Sequence, residues 1–232
     1  MLPAVTTPGP PVLLVHGFAT SCERTWREPG WIALLTDAGR EVIGVDLLGH
    51  GTAPKPHDPA AYVDMEQHVA DALPSTPVDA IGFSLGARVV LTLAAADPSR
   101  FRRVVVAGVG ANLFRDDGHG ALIAAAVGGS AGNDPVALHF SALASTPGND
   151  RDALLACLRR PVAPLTADDL AKVTCPVLVA LGDRDFAGPA DPLVEALPDP
   201  RLVTLRGVDH FATPKDFTFI DAALDFIDAA PT

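Results

Sequence analysis

Six short runs of Val, Ile, Leu and Ala punctuate this chain: Val12–Val15, Glu41–Asp46, Val78–Phe83, Arg103–Gly108, Val177–Gly182 and Arg201–Leu205. They are nearly continuous rather than alternating, the pattern of strands covered on both faces. Between them apolar residues recur at helical spacing. Trp31, Ile32, Leu34, Leu35 and Ala38 form one stripe, stopped by Gly39. Tyr62, Met65, Val69 and Leu73 form a second, with Asp58 as cap and Pro59 in the first turn. Leu85 to Ala96 reads as a third helix, closed by Asp97-Pro98. The last stripe is Phe217, Ile220, Leu224 and Ile227, with Thr213 and Asp216 spaced for a capping box and Pro214 for the first turn. Strands of this kind alternating with helices predict an α/β fold. It has three layers, α/β/α, around a mostly parallel sheet of about six strands.

One region breaks the alternation. Between the run ending at Gly108 and the run starting at Val177 lie short Ala-rich helical patterns, separated by Gly128-Gly129, Pro147-Gly148 and Pro161. They predict a small helical lid, residues 111–172, inserted into a single domain of residues 1–232. The insert leaves the carboxyl end of a strand, the side on which such sheets carry their ligand sites.

Composition narrows the partners. Of 232 residues, 48% are apolar and 19% charged, enough for one sizeable core. The net charge of −11 and the lack of a basic cluster argue against nucleic acid or an anionic membrane surface as partner. Met1–Pro11 has no basic segment followed by a signal-type apolar run, and no stretch is long enough to span a membrane. Cys22, Cys157 and Cys175 are odd in number and widely spaced, which predicts reduced thiols rather than a disulfide framework or a zinc site. The expectation is a cytoplasmic protein with a small-molecule partner, no metal and no cofactor. Its oligomeric state stays open.

The chemistry centres on Gly82-Phe83-Ser84-Leu85-Gly86, placed between a predicted strand and a predicted helix. A strand turning sharply into a helix pushes the residue at the turn outwards, and the crowded backbone there tolerates little but glycine two positions away. Ser84 so placed is a candidate nucleophile. It needs a base, and a third group to orient that base. Of seven histidines, His210 alone lies in a loop between the final strand and the final helix, within Gly207-Val208-Asp209-His210-Phe211. That loop opens at the same sheet edge as Ser84. The acid is expected from Leu181-Gly182-Asp183-Arg184-Asp185. Asp185, farther from the strand than Asp183, can bend over the edge towards His210. Asp183 then reads as a turn residue and Asp209 as a loop residue. Donors for a developing oxyanion are expected from the backbone N–H of Leu85, at a helix start, and of Phe18, in the loop Val15-His16-Gly17-Phe18-Ala19. His16 reads as a buried residue that ties this loop down.

With these residues in place the chain resembles an α/β-hydrolase. The resemblance rests on the segments around Val12–Phe18, Asp46–Gly51, Gly82–Ala87, Leu181–Asp185 and Gly207–Phe211, in the family's order. It implies a catalytic triad of Ser84, Asp185 and His210, with Phe18 and Leu85 as oxyanion donors and Asp46–Gly51 as a structural loop in which His50 packs. The chain departs from the family in two ways: the usual first two strands are absent or reduced to Met1–Pro11, and the lid is short.

The activity expected is that of a serine esterase, cleaving a carboxylic ester of a small, mainly apolar substrate through an acyl-enzyme. Phe83, Phe114, Phe140, Phe186 and Phe211 are candidates for the acyl pocket, each equally suited to the core. Lactone, thioester or carbon–carbon bond hydrolysis, and cofactor-free haloperoxidase or perhydrolase chemistry, use the same triad. A non-catalytic ligand-binding module on the same fold is a further alternative. Gly108-Val109-Gly110 is a weak nucleotide-binding signal, since it lacks the third glycine and an acidic partner.

Overall fold

The computed structural model describes residues 9–115, 119–130 and 132–230. Six strands make one sheet: β1 (Val12–Val15), β2 (Val42–Val45), β3 (Val78–Phe83), β4 (Phe101–Ala107), β5 (Val177–Gly182) and β6 (Pro200–Leu205). Their order is β2-β1-β3-β4-β5-β6. Every neighbouring pair is parallel. β1 thus lies inside the sheet, with β2 on one side of it and β3 to β6 on the other. The edge implied by the reduced first strands is formed by β2, with Val42 and Ile43 half-buried. The part of that reading that concerns residues 1–8 lies outside the described residues.

The strands alternate between two cores, as a two-residue repeat requires. Val12, Leu14, Ile81, Val105, Ala107, Leu178 and Ala180 face one side. There they pack beneath α1 (Trp31–Asp37) and α9 (Phe217–Phe226), through Trp31, Leu35, Phe219 and Leu224. Leu13, Val15, Ala80, Val104, Val106, Val177 and Val179 face the other. They pack beneath α2 (Met65–Ala70) and α3 (Leu85–Ala96) through Met65, Val69, Val90 and Leu91.

Between β4 and β5 the chain forms α4 (His119–Val127), α5 (Pro135–Ala144), α6 (Arg151–Arg159) and α7 (Ala167–Leu170). Asp134, Asp150 and Thr166 cap the last three through side-chain oxygens. The short helix α8 (Asp191–Ala196), absent from the sequence-based pattern, joins β5 to β6.

Two local expectations are corrected. The stripe from Tyr62 to Leu73 is not one helix. Asp58 caps a single 3-10 turn, Pro59–Tyr62, and α2 begins only at Met65. The Tyr62 hydroxyl donates to the Pro56 carbonyl at 2.7 Å, which draws the turn back onto its own loop. Thr213 and Asp216 do not form a capping box. Asp216 is itself the cap, accepting from the Phe219 N–H at 3.0 Å, while the Thr213 hydroxyl donates to the Asp209 carbonyl at 2.9 Å.

Candidate active site

Ser84 occupies the turn from β3 to α3 with φ 53° and ψ −114°. A non-glycine residue there costs on the order of 1–3 kcal/mol and persists only where its surroundings impose it. The two glycines supply that constraint. A Cβ on Gly82 would lie 2.7 Å from the Ala87 Cα and the Gly86 carbonyl oxygen, and one on Gly86 would overlap the Val15 and His16 carbonyl oxygens. The Gly-x-Ser-x-Gly spacing is therefore the closest packing of strand, turn and helix against β1.

His210 is brought to Ser84 by stitching between the ends of β5 and β6. The Gly207 N–H donates to Asp183 at 2.7 Å, the Asp183 N–H to the Leu205 carbonyl at 3.0 Å, and the Arg184 N–H to the Val208 carbonyl at 3.2 Å. Asp209 accepts from the Ala212 N–H at 2.9 Å. Asp183 and Asp209 thus hold the turn and the loop. His210 Nε2 lies 3.0 Å from Ser84 Oγ. Its Nδ1 lies 3.0 Å from each Asp185 oxygen. The Asp185 side chain is fully buried and also accepts from the Ala187 N–H at 2.9 Å. Ser84, His210 and Asp185 form one hydrogen-bonded chain. In it Nδ1 carries the proton that the carboxylate accepts, and Nε2 is left free to accept from the serine.

The N–H groups of Phe18 and Leu85 donate to no protein acceptor among the described residues. Gly17, whose Cβ would sit 3.3 Å from the Ser84 Cβ, brings the Phe18 peptide against the serine. His16 grips the same peptide from behind. Its Nδ1 donates to the Gly17 carbonyl at 2.7 Å, and its Nε2 accepts from the Leu47 N–H at 3.0 Å. Burial holds the His16 imidazole down to about 4, an effect only partly offset by the Gly17 carbonyl and by Asp46. His50, pushed down to about 3 by burial and by its neighbour His16, donates from Nδ1 to the Leu48 carbonyl at 3.0 Å. Both are neutral packing groups at ordinary pH.

A cavity of about 360 Å³ opens beside Ser84 and His210. Phe18, Phe83, Phe140, Leu143 and Phe211 form its apolar wall, with Arg24 and Lys215 also lining it. Phe114 and Phe186 do not line it, contrary to the sequence-based expectation. Phe114 packs half-buried against the core beneath the insert. The Phe186 ring lies 4.4 Å from the His210 ring and faces a separate cavity of about 870 Å³. Leu143 and His139 escaped the sequence reading. They lie on the same face of α5 as Phe140, and the His139 ring stacks 3.6 Å from that of Phe211. The spacing of Phe140 and Leu143 on one predicted helix was the available signal. Among the described residues no group of three His, Cys, Asp or Glu could hold a metal, and no helix is long and apolar enough to cross a membrane.

Known proteins resemble this chain in sequence and fold. The alpha/beta hydrolase family matches residues 12–223. A pimeloyl-(acyl-carrier protein) methyl ester esterase of Neisseria meningitidis serogroup B is 32% identical over 199 residues, covering 73% of this chain and 75% of that protein. A 2-hydroxymuconate semialdehyde hydrolase of a Pseudomonas species is 32% identical over 106 residues, covering 43% of this chain. The chain spans only 36% of the length of that relative. A bromoperoxidase from Bacillus anthracis has the same fold, with a TM-score of 0.70 at 22% identity over 96% of this chain and 92% of that one. The chain belongs to the alpha/beta hydrolase family.

Proposed function

We propose that this enzyme cleaves a carboxylic ester of a small, mainly apolar molecule through an acyl-enzyme on Ser84. The observation that carries the reading is the relay of 3.0 Å contacts from Ser84 through His210 to Asp185 at the wall of a phenylalanine-lined cavity. The Ser84 oxygen adds to the ester carbonyl while His210 Nε2 takes its proton. The carbonyl oxygen becomes an oxyanion held by the Phe18 and Leu85 N–H groups. Collapse of the adduct expels the alkoxide, which leaves as the alcohol with the proton from His210. Water then gives its proton to His210, attacks the acyl carbon, and releases the acid as the proton returns to Ser84. Asp185 stays ionised throughout and holds the tautomer. We read residues 111–172 as a lid, with α5 as the wall it contributes.

Two features support this reading. The cavity volume suits a small ligand, and its aromatic wall suits an acyl chain rather than a polar one. The esterase of Neisseria meningitidis acts on a carboxylic methyl ester, as its name states, and is similar over most of both chains. Carbon–carbon bond hydrolysis is the second reading, favoured by the similarity to the semialdehyde hydrolase. The test uses p-nitrophenyl butyrate with the wild type and Ser84→Ala. A fall in kcat of about 10⁴-fold or more is expected. Undiminished turnover in the variant would remove Ser84 from the reaction.

A further inference from the structure

The segment Thr146-Pro147-Gly148-Asn149-Asp150 joins α5 to α6 and is fixed at both ends by its own sequence. Pro147 and Gly148 suit the two central places of a tight turn, the glycine at φ 91°, and the Asn149 N–H closes it on the Thr146 carbonyl at 3.1 Å. Asp150, next in the chain, caps α6 by accepting from the Asp152 and Ala153 N–H groups at 3.1 Å each. Asn149, held between turn and cap, commits both hydrogens of its side-chain amide. One goes to the Ala19 carbonyl at 2.9 Å and the other to the Leu143 carbonyl at 2.8 Å.

These two acceptors belong to different parts of the site. Leu143 lies near the end of α5 and lines the cavity. Ala19 directly follows Phe18 and sits at φ 57°, a conformation that a residue with a Cβ holds only where its surroundings impose it. His16 fixes the near side of the Phe18 peptide through the Gly17 carbonyl. Nothing in the short segment Gly17–Ala19 itself fixes the far side. The Asn149 amide does.

We propose that Asn149 is a positioning residue: it holds Ala19 in its left-handed conformation, aims the Phe18 N–H at the developing oxyanion, and ties that donor to α5. The inference rests on the role given above to Ser84 and Phe18. It adds that the insert supplies part of the oxyanion apparatus as well as a wall of the cavity. Binding of the ground state needs the wall, whereas the aimed N–H matters only once charge develops on the carbonyl oxygen.

The experiment compares Asn149→Ala, Asn149→Asp and Asn149→Gln with the wild type on p-nitrophenyl butyrate, each below its unfolding temperature. Displacing a donor forfeits part of the ~10²–10³ that a whole donor supplies, so Asn149→Ala should lower kcat about tenfold to a hundredfold with KM changed less than about threefold. Asn149→Asp, which sets a carboxylate against two carbonyls, should lose at least as much, and Asn149→Gln should recover part of it. The affinity for butylboronic acid, which forms a tetrahedral adduct on a reactive serine, should fall by the same factor as kcat/KM. His57→Gln is the control for simple loosening of the insert. It removes the exposed 3.0 Å contact between His57 and Asp150 without touching Ala19, and should leave kcat unchanged. The inference is overturned if Asn149→Ala keeps wild-type kcat and boronate affinity, or if His57→Gln falls as far as Asn149→Ala. Failure of Ser84→Ala to lose activity would instead overturn the esterase reading itself.

Discussion

Two carboxylates are buried to the same depth at opposite ends of the sheet, and their partners differ. Asp79 lies in β3 near its amino end, and Asp185 lies just past the carboxyl end of β5. Neither side chain exposes any surface. Asp79 is saturated by two guanidinium groups, that of Arg40 and that of Arg102, the latter at 2.8 and 2.6 Å. Arg102 and Arg103 in turn reach Asp228 at 3.1 and 2.6 Å, so this end of the sheet is closed by permanently charged groups. Asp185 meets a single imidazole whose other nitrogen faces a serine and a cavity. A carboxylate matched by arginines can only hold structure together, because no proton can leave its partners. A carboxylate matched by histidine leaves its partner able to take and return one.

Substitution at the two carboxylates should separate these roles. Asp185→Asn keeps the shape but can turn an amide N–H towards His210 Nδ1, favouring the wrong tautomer. The expected loss in kcat is about 10⁴-fold, with little change in the urea midpoint. A fall of less than tenfold would mean that Asp185 does not orient His210. Asp79→Asn should do the reverse. It leaves the buried Arg40 without a full countercharge, and the expected loss of stability by urea titration is about 3–5 kcal/mol, with kcat per folded molecule unchanged. A kcat loss at Asp79 comparable to that at Asp185 would erase the distinction between the two ends.

The smaller effect concerns His16 and His50 behind the Phe18 loop. An unfolded histidine takes up its proton near 6.5. In the folded protein burial holds His16 to about 4 and His50 to about 3. Through this window the unfolded chain binds more protons than the folded one, so stability rises with pH. The contribution of these two residues is whole above about 6.5 and is lost as the pH falls towards their folded values. Urea titrations should show a stability lower at pH 5 than at pH 7 by on the order of 2 kcal/mol for each of the two histidines, a difference that falls by about half in His50→Asn. An equal difference in that variant would show that His50 does not contribute to it.

Legibility in the sequence followed the range over which each constraint acts. The four inner strands were readable because burial on both faces is written into four to seven consecutive residues, and the parallel sheet followed from their alternation with helices. The edge strands β2 and β6 share the apolar pattern but are largely half-buried or exposed. Ser84 was readable because Gly82 and Gly86 enforce the turn within five residues. The choice of Asp185 over Asp183 rested on reach from a strand end, and the structure shows Asp183 spent on the Gly207 N–H. The cavity wall was less legible. Phe114, Phe140 and Phe186 look alike in the sequence, and only tertiary packing sends Phe140 to the cavity wall, Phe114 to the core and Phe186 against the His210 ring beside a separate cavity. Asn149 gave no signal, because its two acceptors, Ala19 and Leu143, are backbone carbonyls that carry no mark of residue type. The break between Tyr62 and Met65 was hidden for a similar reason, since its apolar residues keep helical spacing across the interruption.

The proposed reaction depends on Ser84 being made nucleophilic by His210. The most direct measurement is the rate at which a fluorophosphonate labels the folded protein, with the modified residue located by mass spectrometry, in the wild type and in His210→Gln. Labelling confined to Ser84 is expected, slowed by about 10³-fold or more in the variant. Labelling at another residue, or a Ser84 that reacts equally fast without the imidazole, would contradict it.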